Sequence, residues 1–316
     1  MRKALNKARI EGRIYDSTLA LKTVQNKESQ NFGKEFINGT LDIATDDDCM
    51  NIVQVNFTYV TETTAKGNKN NTYVALKKII DDNKTILSVG KDNATIVRVD
   101  TALGLNDFYT NRNGEEVLVS AKRNEGGFVT ILNSLGSDAT NTFECDMLIN
   151  GTKYVEADEE KNIPADYLVV KGAVFAFNGR ILPVEFVVKS EGGIKYFESL
   201  DASPQNLVFT KVWGNINSQT IVRKVEEESA FGEPSVKEYT RTLREWVITG
   251  TSKPDAVYEI GDAENGITEE EIKKAMADRE VYLADVKKRA DEWRASQAAG
   301  GESAAPATAA AGAFNF

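Results

Sequence analysis

Residues 8–24 read ARIEGRIYDSTLALKTV and open the part of the chain that decides the fold. Ile10 and Ile14 alternate with charged or aromatic neighbours, which is the period-two pattern of a strand buried on one face. Gly12 inside such a strand is typical of a bend or a bulge. We therefore predict a long first strand that bends near its middle.

The residues that follow predict two more strands, a helix and two final strands. Residues 34–44, KEFINGTLDIA, place Ile37 and Ile43 on one face. The other expected elements are a strand at 51–60, a helix at 72–80, and strands near 94–99 and 117–121. Three strands, a helix and two strands is the order of a small Greek-key barrel of the OB type. The predicted fold class is therefore mostly β, with an OB-like Greek-key barrel in the first half.

The second half predicts another set of strands. Residues 167–177 and 180–189 flank Asn178-Gly179, a dipeptide typical of a two-residue hairpin turn. The other expected strands are a pair at 207–216 and 219–225 and a closing strand at 237–248. This rhythm predicts a second β domain, for which an OB-like barrel is one interpretation, although the halves share no letter-by-letter repeat.

One long helix and a low-complexity tail are expected after the strands. Thr268-Glu269-Glu270-Glu271 matches a capping box, and an apolar stripe continues from it to about residue 297. The stripe consists of Ile272, Met276, Leu283, Val286, Ala290 and Trp293. It predicts a helix packed on the second barrel, with a helix for a partner or for self-association as the alternative. Residues 298–316 are rich in Ala, Gly and Ser, so we expect them to be disordered.

The composition excludes several kinds of catalytic site. Histidine is absent, which removes Ser-His-Asp and Cys-His catalysis and imidazole metal sites. Cys49 and Cys145 are far apart and match no zinc or CxxC spacing. No Gly-rich loop for phosphates appears in the sequence. We therefore expect a protein that is not an enzyme and that carries no cofactor or metal.

The charge is unevenly distributed along the chain. Residues 1–123 contain 18 Lys and Arg against 16 Asp and Glu, whereas the rest contains 20 against 32, for a net charge of −10. An acidic total argues against a general binder of polyanions but permits a local basic groove in the first half. No run of about 18 apolar residues exists, and no apolar segment follows the basic start, so we expect neither a membrane span nor a signal peptide. The expected location is the cytoplasm, or the host cytoplasm for a phage-encoded chain.

Two segments of the first half carry a resemblance to a known family. ARIEGRIYDSTLAL and GKEFINGTLDIATDDDCMNIVQVNFTYV together resemble a single-stranded DNA-binding protein of the OB-fold family, in a layout most similar to phage-encoded members. FTKVWGNI, residues 209–216, is similar to the strand that carries Trp-Gly near its end in that family. The resemblance covers residues 8–123 and, weakly, 165–250. It implies sequence-independent binding of single strands in DNA replication or recombination.

The tail follows the family pattern only in part. Tails of that family end in several acidic residues before an apolar pair, whereas the last acidic residue here is Glu302 and the tip is GAFNF. We expect Phe314 and Phe316 to contact replication or recombination proteins while the linker stays loose. The predicted parts are thus an OB-like single-strand-binding domain at 1–125, a second β domain at 126–258, an amphipathic helix at 259–297 and a disordered tail at 298–316.

Candidate DNA contacts are cations and aromatic residues of the first domain. Non-specific binding of a single strand requires cations along a backbone path and rings on which bases stack. The candidates are Arg9, Arg13, Tyr15, Lys34, Phe36, Lys66, Lys69, Lys122 and Arg123. Taken singly, each is also compatible with an ordinary solvated surface, and Tyr15 and Phe36 with packing at a sheet edge.

Two classes of function remain open from the residues. We favour a single-stranded DNA-binding protein whose partners are the DNA strand and, through the tail, replication or recombination proteins, with self-association left open. The alternative is a structural or assembly protein with tandem β domains, such as a virion component, which the all-β body and acidic second half would also suit.

Overall fold

The computed structural model of the chain describes residues 4–136, 141–158, 163, 165–227, 235–253, 260–262, 264 and 266–298. Within 220–227, 235–242 and at 298 the description covers the backbone only. The predicted contacts at Phe314 and Phe316, and the predicted tail from 299 onward, lie outside the described residues.

The described part of the chain is mostly β, as predicted, and its strands form one 11-stranded sheet. The strands of the first half are β1 (Asn6–Ser17), β2 (Ala20–Thr23), β3 (Glu35–Ala44), β4 (Ile52–Thr61), β5 (Ile96–Arg112) and β6 (Glu115–Leu132). Those of the second half are β7 (Asn141–Val155), β8 (Tyr167–Phe175), β9 (Ile181–Val188), β10 (Val208–Glu227) and β11 (Ser235–Thr251). The helices are α1 (Asn71–Asp82), α2 (Ile86–Val89), α3 (Glu191–Ser199) and α4 (Glu269–Ala298).

The first half closes into a barrel with OB-type strand order. β1 pairs antiparallel with β3 and β5, β3 pairs antiparallel with β4, and β5 with β6. A short parallel contact between β4 and β6 completes the ring. Because α1 lies between the third and fourth strands of this ring, the predicted order of three strands, a helix and two strands is confirmed.

The second half repeats the same circuit. β7 pairs antiparallel with β8 and β10, β8 with β9, and β10 with β11, while β9 and β11 make the parallel contact. α3 occupies the position that α1 has in the first ring. β1 also pairs with β7, so one sheet runs continuously from the first barrel into the second. The domain boundaries remain predictions, and the one expected at 125 falls inside β6.

Gly12 allows β1 to serve both barrels. The strand pairs with β7 over its first half and then with β3 from Arg13 onward. A Cβ atom at Gly12 would lie 2.1 Å from the carbonyl oxygen of Ala44 on β3. Only glycine therefore permits this close approach, which explains the bend that the sequence predicts.

Alternating aliphatic side chains fill the barrel interior as the period-two pattern predicts. Ile10, Ile14, Ile37, Leu41 and Ile43 are all fully buried, with exposures of 0%. Burying a side chain of this size is worth about 1.5–3 kcal/mol relative to leaving it in water. Hydrophobic burial therefore keeps these strands facing the interior.

The prediction of two strands at 207–216 and 219–225 is wrong, because β10 passes through both without a turn. Asn51 provides the physical reason. Its side-chain oxygen accepts a hydrogen bond from the Ser218 backbone N–H at 2.6 Å, and its amide donates to the Ile216 carbonyl at 3.2 Å. A side chain from the first barrel thus satisfies the backbone polar groups that a turn would otherwise have occupied.

Other elements differ from the sequence-based expectations. The predicted first strand at 8–24 divides into β1 and β2, and the strands expected near 94–99 and 117–121 extend into the longer β5 and β6. β7 was not predicted, and the polar stretch after 189 contains α3, which Ser190 caps by accepting a hydrogen bond from the Gly193 N–H. The local sequence of these elements has weak periodicity. Their structure depends on tertiary pairing, so the sequence pattern alone does not predict them.

Helix α4 packs against both barrels and not only against the second. The predicted capping box is present, with the Glu271 N–H donating to the Thr268 hydroxyl and the Glu271 carboxylate accepting from the Thr268 N–H. The predicted apolar stripe is only partly correct, because Met276 is 54% exposed whereas Arg279 is buried. The Arg279 guanidinium reaches both carboxylate oxygens of Asp107 on β5, at 2.7 and 2.8 Å. On the second barrel, the Arg180 guanidinium lies 3.8 Å from the ring centroid of Tyr282 of α4.

No helix within the described residues is long and apolar enough to cross a membrane.

Candidate nucleic-acid interface

An aromatic pair lies on the outer face of β3 and β4. The ring centroids of Phe36 and Tyr59 are 4.7 Å apart, with an interplanar angle of 37°. A register shift between these strands inserts one extra residue into β4, since Ile37 faces Val60 but Gly39 faces Phe57. This bulge brings Val60 against the core and leaves Tyr59 beside Phe36, although simple alternation would have placed Tyr59 inside.

A lysine that the sequence analysis did not select stands beside this pair. Lys22 on β2 lies directly opposite Phe36 on β3 and donates to the Asn38 side-chain oxygen at 3.0 Å. Asn38 in turn donates to the Thr58 carbonyl at 2.8 Å. Lys22 therefore supplies a cation beside two rings, which is the combination that stacking of a charged strand requires. The sequence did not indicate Lys22, because only the pairing of β2 with β3 brings it beside the rings.

A pocket of about 280 Å³ begins at Asn38 and separates the first barrel from the β10–β11 hairpin of the second. Its lining combines amides with cations and one indole. The polar and aromatic contributors include Asn38, Gln54, Asn56, Asn106, Lys122, Arg123, Asn124, Asn217, Arg244, Glu245 and Trp246. Such a lining can donate hydrogen bonds to phosphate oxygens or to base carbonyls.

Lys122 is the central cation of this pocket. Its ammonium lies 5.3 Å from the ring centroid of Trp246, and burial lowers the pKa of Lys122. Among the described residues none makes a hydrogen bond or an ion pair with it. The charges of Glu185 and Glu245 partly oppose this shift, but neither carboxylate forms an ion pair with Lys122. An anionic or carbonyl-bearing ligand would relieve the desolvation cost that remains.

Arg123, the neighbour of Lys122, is held in place by an internal ion pair. Its guanidinium lies 2.9 Å from the Glu125 carboxylate, and both side chains are largely buried. The other donors of the guanidinium remain available to a ligand, since arginine has five N–H groups.

Hydrogen bonds between the barrels fix the walls of the pocket. Asn51 of the first barrel contacts β10 as described above, and within the second barrel the Asn141 amide donates to the same Ile216 carbonyl at 2.8 Å. Within the first barrel, the Asn124 amide donates to the Gln54 carbonyl at 2.9 Å. The pocket is therefore preformed rather than dependent on a ligand for its shape.

Several candidate residues of the sequence analysis lie away from this pocket. Arg9 pairs with Asp100 at 2.7 Å on a different face, and Arg13 is half-buried on β1 with its Nε unpartnered. Tyr15 is half-buried at an irregularity of β1 next to β3. Lys66 and Lys69 are exposed in the segment between β4 and α1.

Three predicted residues thus come together with residues that the sequence did not indicate. Phe36 adjoins the pocket through Asn38, while Lys122 and Arg123 line it directly. Lys34 is exposed immediately before β3 and donates to Asn31 at 3.0 Å. Tyr59, Lys22, Arg244 and Trp246 were missed, because a bulge, a hairpin and the second barrel bring them to this place.

The model of the YorF family matches residues 5–289. No curated protein sequence matches the chain. The crystal structure of the wild-type single-stranded DNA binding protein from Thermus aquaticus is similar at 11% identity and a TM-score of 0.45, covering 80% of this chain and 94% of that chain. A deletion mutant of the same protein is similar at 11% identity and a TM-score of 0.44, covering 80% and 96%.

Proposed function

This chain belongs to the YorF family, and we propose that it binds single-stranded DNA without sequence preference and without catalysis. The binding surface comprises the outer face of β3 and β4 and the pocket between the barrels. The observation that carries the proposal is the Phe36–Tyr59 ring pair with Lys22 beside it, adjoining a pocket lined by Lys122 and Arg123.

The chemistry of this surface suits a single strand better than a duplex. Stacking on Phe36 and Tyr59 requires an exposed base face, which a paired base inside a duplex does not offer. Amides on β3 and β4 can bond to any base edge, so they favour binding without strong sequence preference. Lys122 and Arg123 would contact phosphates, whose neutralisation releases counter-ions and makes the affinity fall with rising salt.

The net charge of −10 is compatible with this role because a bound strand responds to the charges near it and not to the total charge of the protein. At physiological ionic strength, charges farther apart than about 8 Å are largely screened. A strand in the pocket therefore interacts mainly with Lys122, Arg123 and Arg244 and with the neighbouring Glu125 and Glu245, and much less with distant carboxylates. We propose that the protein covers single strands during DNA replication or recombination, in the host cytoplasm for a phage-encoded chain.

A titration with fluorescently labelled oligo-dT tests this function. We expect a saturable shift, an affinity that falls as salt rises, and weak competition by duplex of the same length. An oligonucleotide that stays free would contradict the proposal and would favour a structural or assembly protein. Equal affinity for duplex would also contradict it.

We propose that the tail recruits a replication or recombination protein. Phe314 and Phe316 are the only large apolar side chains after residue 298, so a partner pocket for two rings would recognise the tip. Removing residues 298–316 should leave oligo-dT affinity unchanged and abolish capture of a replication or recombination protein. Replacing Phe314 and Phe316 by Ala in the full chain is the matched variant, and capture that survives both changes would refute this role.

A further inference from the structure

The β10–β11 hairpin continues beyond its pairing with the barrels as a two-stranded arm, which comprises residues 220–227 and 235–242. The ladder of the arm has eight residue pairs and is about 27 Å long. β10 pairs with β7 only as far as Asn215, and β11 meets β9 only at Val247. Among the described strand pairings, the two strands of the arm therefore pair only with each other.

The register of this ladder sorts the charged residues of the arm onto two faces. Successive residues of a strand alternate between the faces of a sheet, and residues directly opposite each other share a face. One face, here called the basic face, carries the charged and aromatic residues Arg223, Glu227, Lys237, Tyr239 and Arg241. The charged residues of the other face are Lys224, Glu226 and Glu238. Cations therefore outnumber carboxylates on the basic face, whereas carboxylates outnumber cations on the other.

Tyr239 lies at the centre of the cations on the basic face. Arg223 is directly opposite it on β10, and Lys237 and Arg241 are the next residues of this face along β11. Directly opposite residues have Cβ atoms about 4.5–5.5 Å apart, and residues two apart on one strand are separated by about 7 Å. A ring among cations at this spacing is the combination that non-specific binding of a single strand requires.

Arg223 and Arg241 have no carboxylate as a neighbour on the basic face of the described ladder. Arg223 lies opposite Tyr239, Arg241 lies opposite Ile221, and the two arginines are diagonal neighbours. Diagonal neighbours on a sheet face are about 7–8 Å apart, so the two like charges repel each other. An anion bound to both would offset this repulsion through charge-assisted hydrogen bonds.

The acidic residues of the hairpin lie at other places in its register. Glu238 is directly opposite Lys224 on the other face, where the two charges balance. Glu227 is a diagonal neighbour of Lys237 on the basic face, so it can offset that lysine but neither arginine. The remaining acidic residues belong to the far end of the arm or to the connecting segment 228–234, which is outside the described residues: Glu226, Glu228 and Glu233. The two arginines and the tyrosine are therefore the part of the basic face that suits a polyanion.

The basic face continues from the wall of the pocket between the barrels. Asn217 and Glu245 lie opposite each other at the base of the hairpin, and both line that pocket. Alternation places them on the same side of the hairpin as Arg241. Glu245 is paired with Lys189 at 2.6 Å, so its charge is largely offset. A strand that leaves the pocket along this side of the hairpin would meet Arg241 first.

We propose that the basic face of the arm contacts the DNA strand that occupies the pocket, with phosphates on Arg223 and Arg241 and a base stacked on Tyr239. The inference rests on the proposed function and deepens it, because it makes the second barrel a contributor to DNA binding. The partner of the arm is the continuation of a strand already held by the first barrel, so binding to the arm is favoured by its high effective concentration.

Removing the two arginines tests the phosphate contacts. The double variant Arg223→Gln/Arg241→Gln should make the slope of log affinity against log salt concentration shallower by about 1.4, at about 0.7 for each lost contact with a single strand. Oligo-dT of about 40 nucleotides is the probe, since one OB-type barrel covers only about 4–16 nucleotides. Lys224→Gln is the matched control, because it removes a cation from the other face of the same arm. The control should keep the wild-type slope.

Replacing the ring tests stacking on the arm. Tyr239→Val removes the ring and keeps a residue that favours strands, so binding of the same probe should weaken by about 5- to 150-fold, as expected for one lost stacking contact. Tyr239→Phe keeps the ring and should retain most of the affinity. Circular dichroism and thermal melting of each variant check that the fold persists.

Photo-crosslinking gives a direct readout on the wild-type chain. Oligo-dT that carries iodouracil at single positions should crosslink to the peptide that contains Tyr239, which mass spectrometry identifies. Wild-type protein that binds no oligonucleotide would refute the proposed function itself. Binding that Phe36→Ala weakens but the arginine and tyrosine variants leave unchanged, with no crosslink to the arm, would refute only the role of the arm. Arm variants that change the oligomeric state in light scattering but not the affinity for oligo-dT would likewise overturn it and assign the arm to contacts between copies of the chain.

Discussion

Single residues at the surface of the first barrel carry the proposed chemistry. Phe36 and Tyr59 expose ring surface next to Lys22, whereas Lys122 places an ammonium in a largely desolvated pocket. Neither arrangement improves the core, which is complete without them. A desolvated ammonium that forms no ion pair is costly, and a ligand that contacts it would offset that cost.

Replacing the rings tests stacking. Phe36→Ala and Tyr59→Ala should each weaken oligo-dT binding by about 1–3 kcal/mol, because each removes a platform for one base. Fluorescence anisotropy measures the affinity. Leu87→Ala, at a 61% exposed position on α2, is the control and should have no effect. A lower melting temperature with unchanged affinity would mean that the rings only pack against each other.

Lys122 should strengthen DNA binding but lower the stability of the free protein at neutral pH. Burial lowers its pKa in the folded protein, while the unfolded chain keeps the ordinary value near 10.5. Between the folded and unfolded values the unfolded state binds more protons, so stability should rise with pH across this window. Lys122→Met should abolish that rise and increase stability at neutral pH, because it removes a desolvated charge.

The same variant should weaken DNA binding. Loss of one phosphate contact should make the slope of log affinity against log salt concentration shallower by about 1. Thermal melting between neutral and alkaline pH, together with titrations at several salt concentrations, measures both effects. A variant that is destabilised at neutral pH, or that binds DNA with the wild-type salt slope, would contradict this account of Lys122.

Two features of the secondary structure matter most for the proposed function and for stability: the bulge in β4 and helix α4. The bulge rotates Tyr59 outward and thereby creates the ring pair. α4 touches β5 of the first barrel and β9 of the second, so it holds the two rings of strands together. The strongest polar contact of α4 is the ion pair between Arg279 and Asp107, whose side chains are 8% and 0% exposed.

Breaking this buried pair on one side should be costly. Arg279→Leu leaves the Asp107 carboxylate buried with only the Ser120 hydroxyl as a donor, so we expect a loss of about 3–5 kcal/mol of unfolding free energy. Urea denaturation measures it. The double variant with Asp107→Leu should recover much of the loss, since no unpaired charge remains.

Lys273→Ala provides the control on the same helix. Lys273 forms an exposed ion pair with Glu269 at 3.6 Å, and such pairs contribute about 0–1 kcal/mol. If Arg279→Leu costs no more than this control, the buried pair is not what fastens α4 to β5.

At the scale of the whole molecule, two OB-type rings act as one body because one sheet and a few polar contacts join them. β1 pairs with β7, and Asn51 bonds to the backbone of β10. The pocket exists only because these contacts position the β10–β11 hairpin over β3 and β4. The binding surface is therefore a property of the pair of barrels.

Asn51→Ala should loosen this arrangement. It leaves the Ser218 N–H without its acceptor and the Ile216 carbonyl with one donor fewer, which should cost about 1–3 kcal/mol. Affinity for oligo-dT should fall as well, because the wall of the pocket moves. Asn93→Ala, at an exposed position, is the matched control. Unchanged unfolding in urea would show that Asn51 does not fasten the barrels.

Some features of this protein follow from the sequence alone. Period-two alternation of Ile37, Leu41 and Ile43 determines which face of β3 is buried, and Gly12 determines where β1 bends. The order of strands and helix in the first half determines an OB-type ring. These features are local, since hydrophobic periodicity and backbone sterics act within a few residues.

Tertiary structure alone decides the rest. Whether Asn217-Ser218 becomes a turn or continues a strand depends on Asn51, which lies far away in the sequence. Which side of β4 Tyr59 occupies depends on a one-residue bulge in its pairing with β3. Lys122 and Trp246 meet only because the second barrel folds over the first. Such contacts join residues remote in the chain, and local propensity does not encode them because their free energy arises only when both partners are already in place.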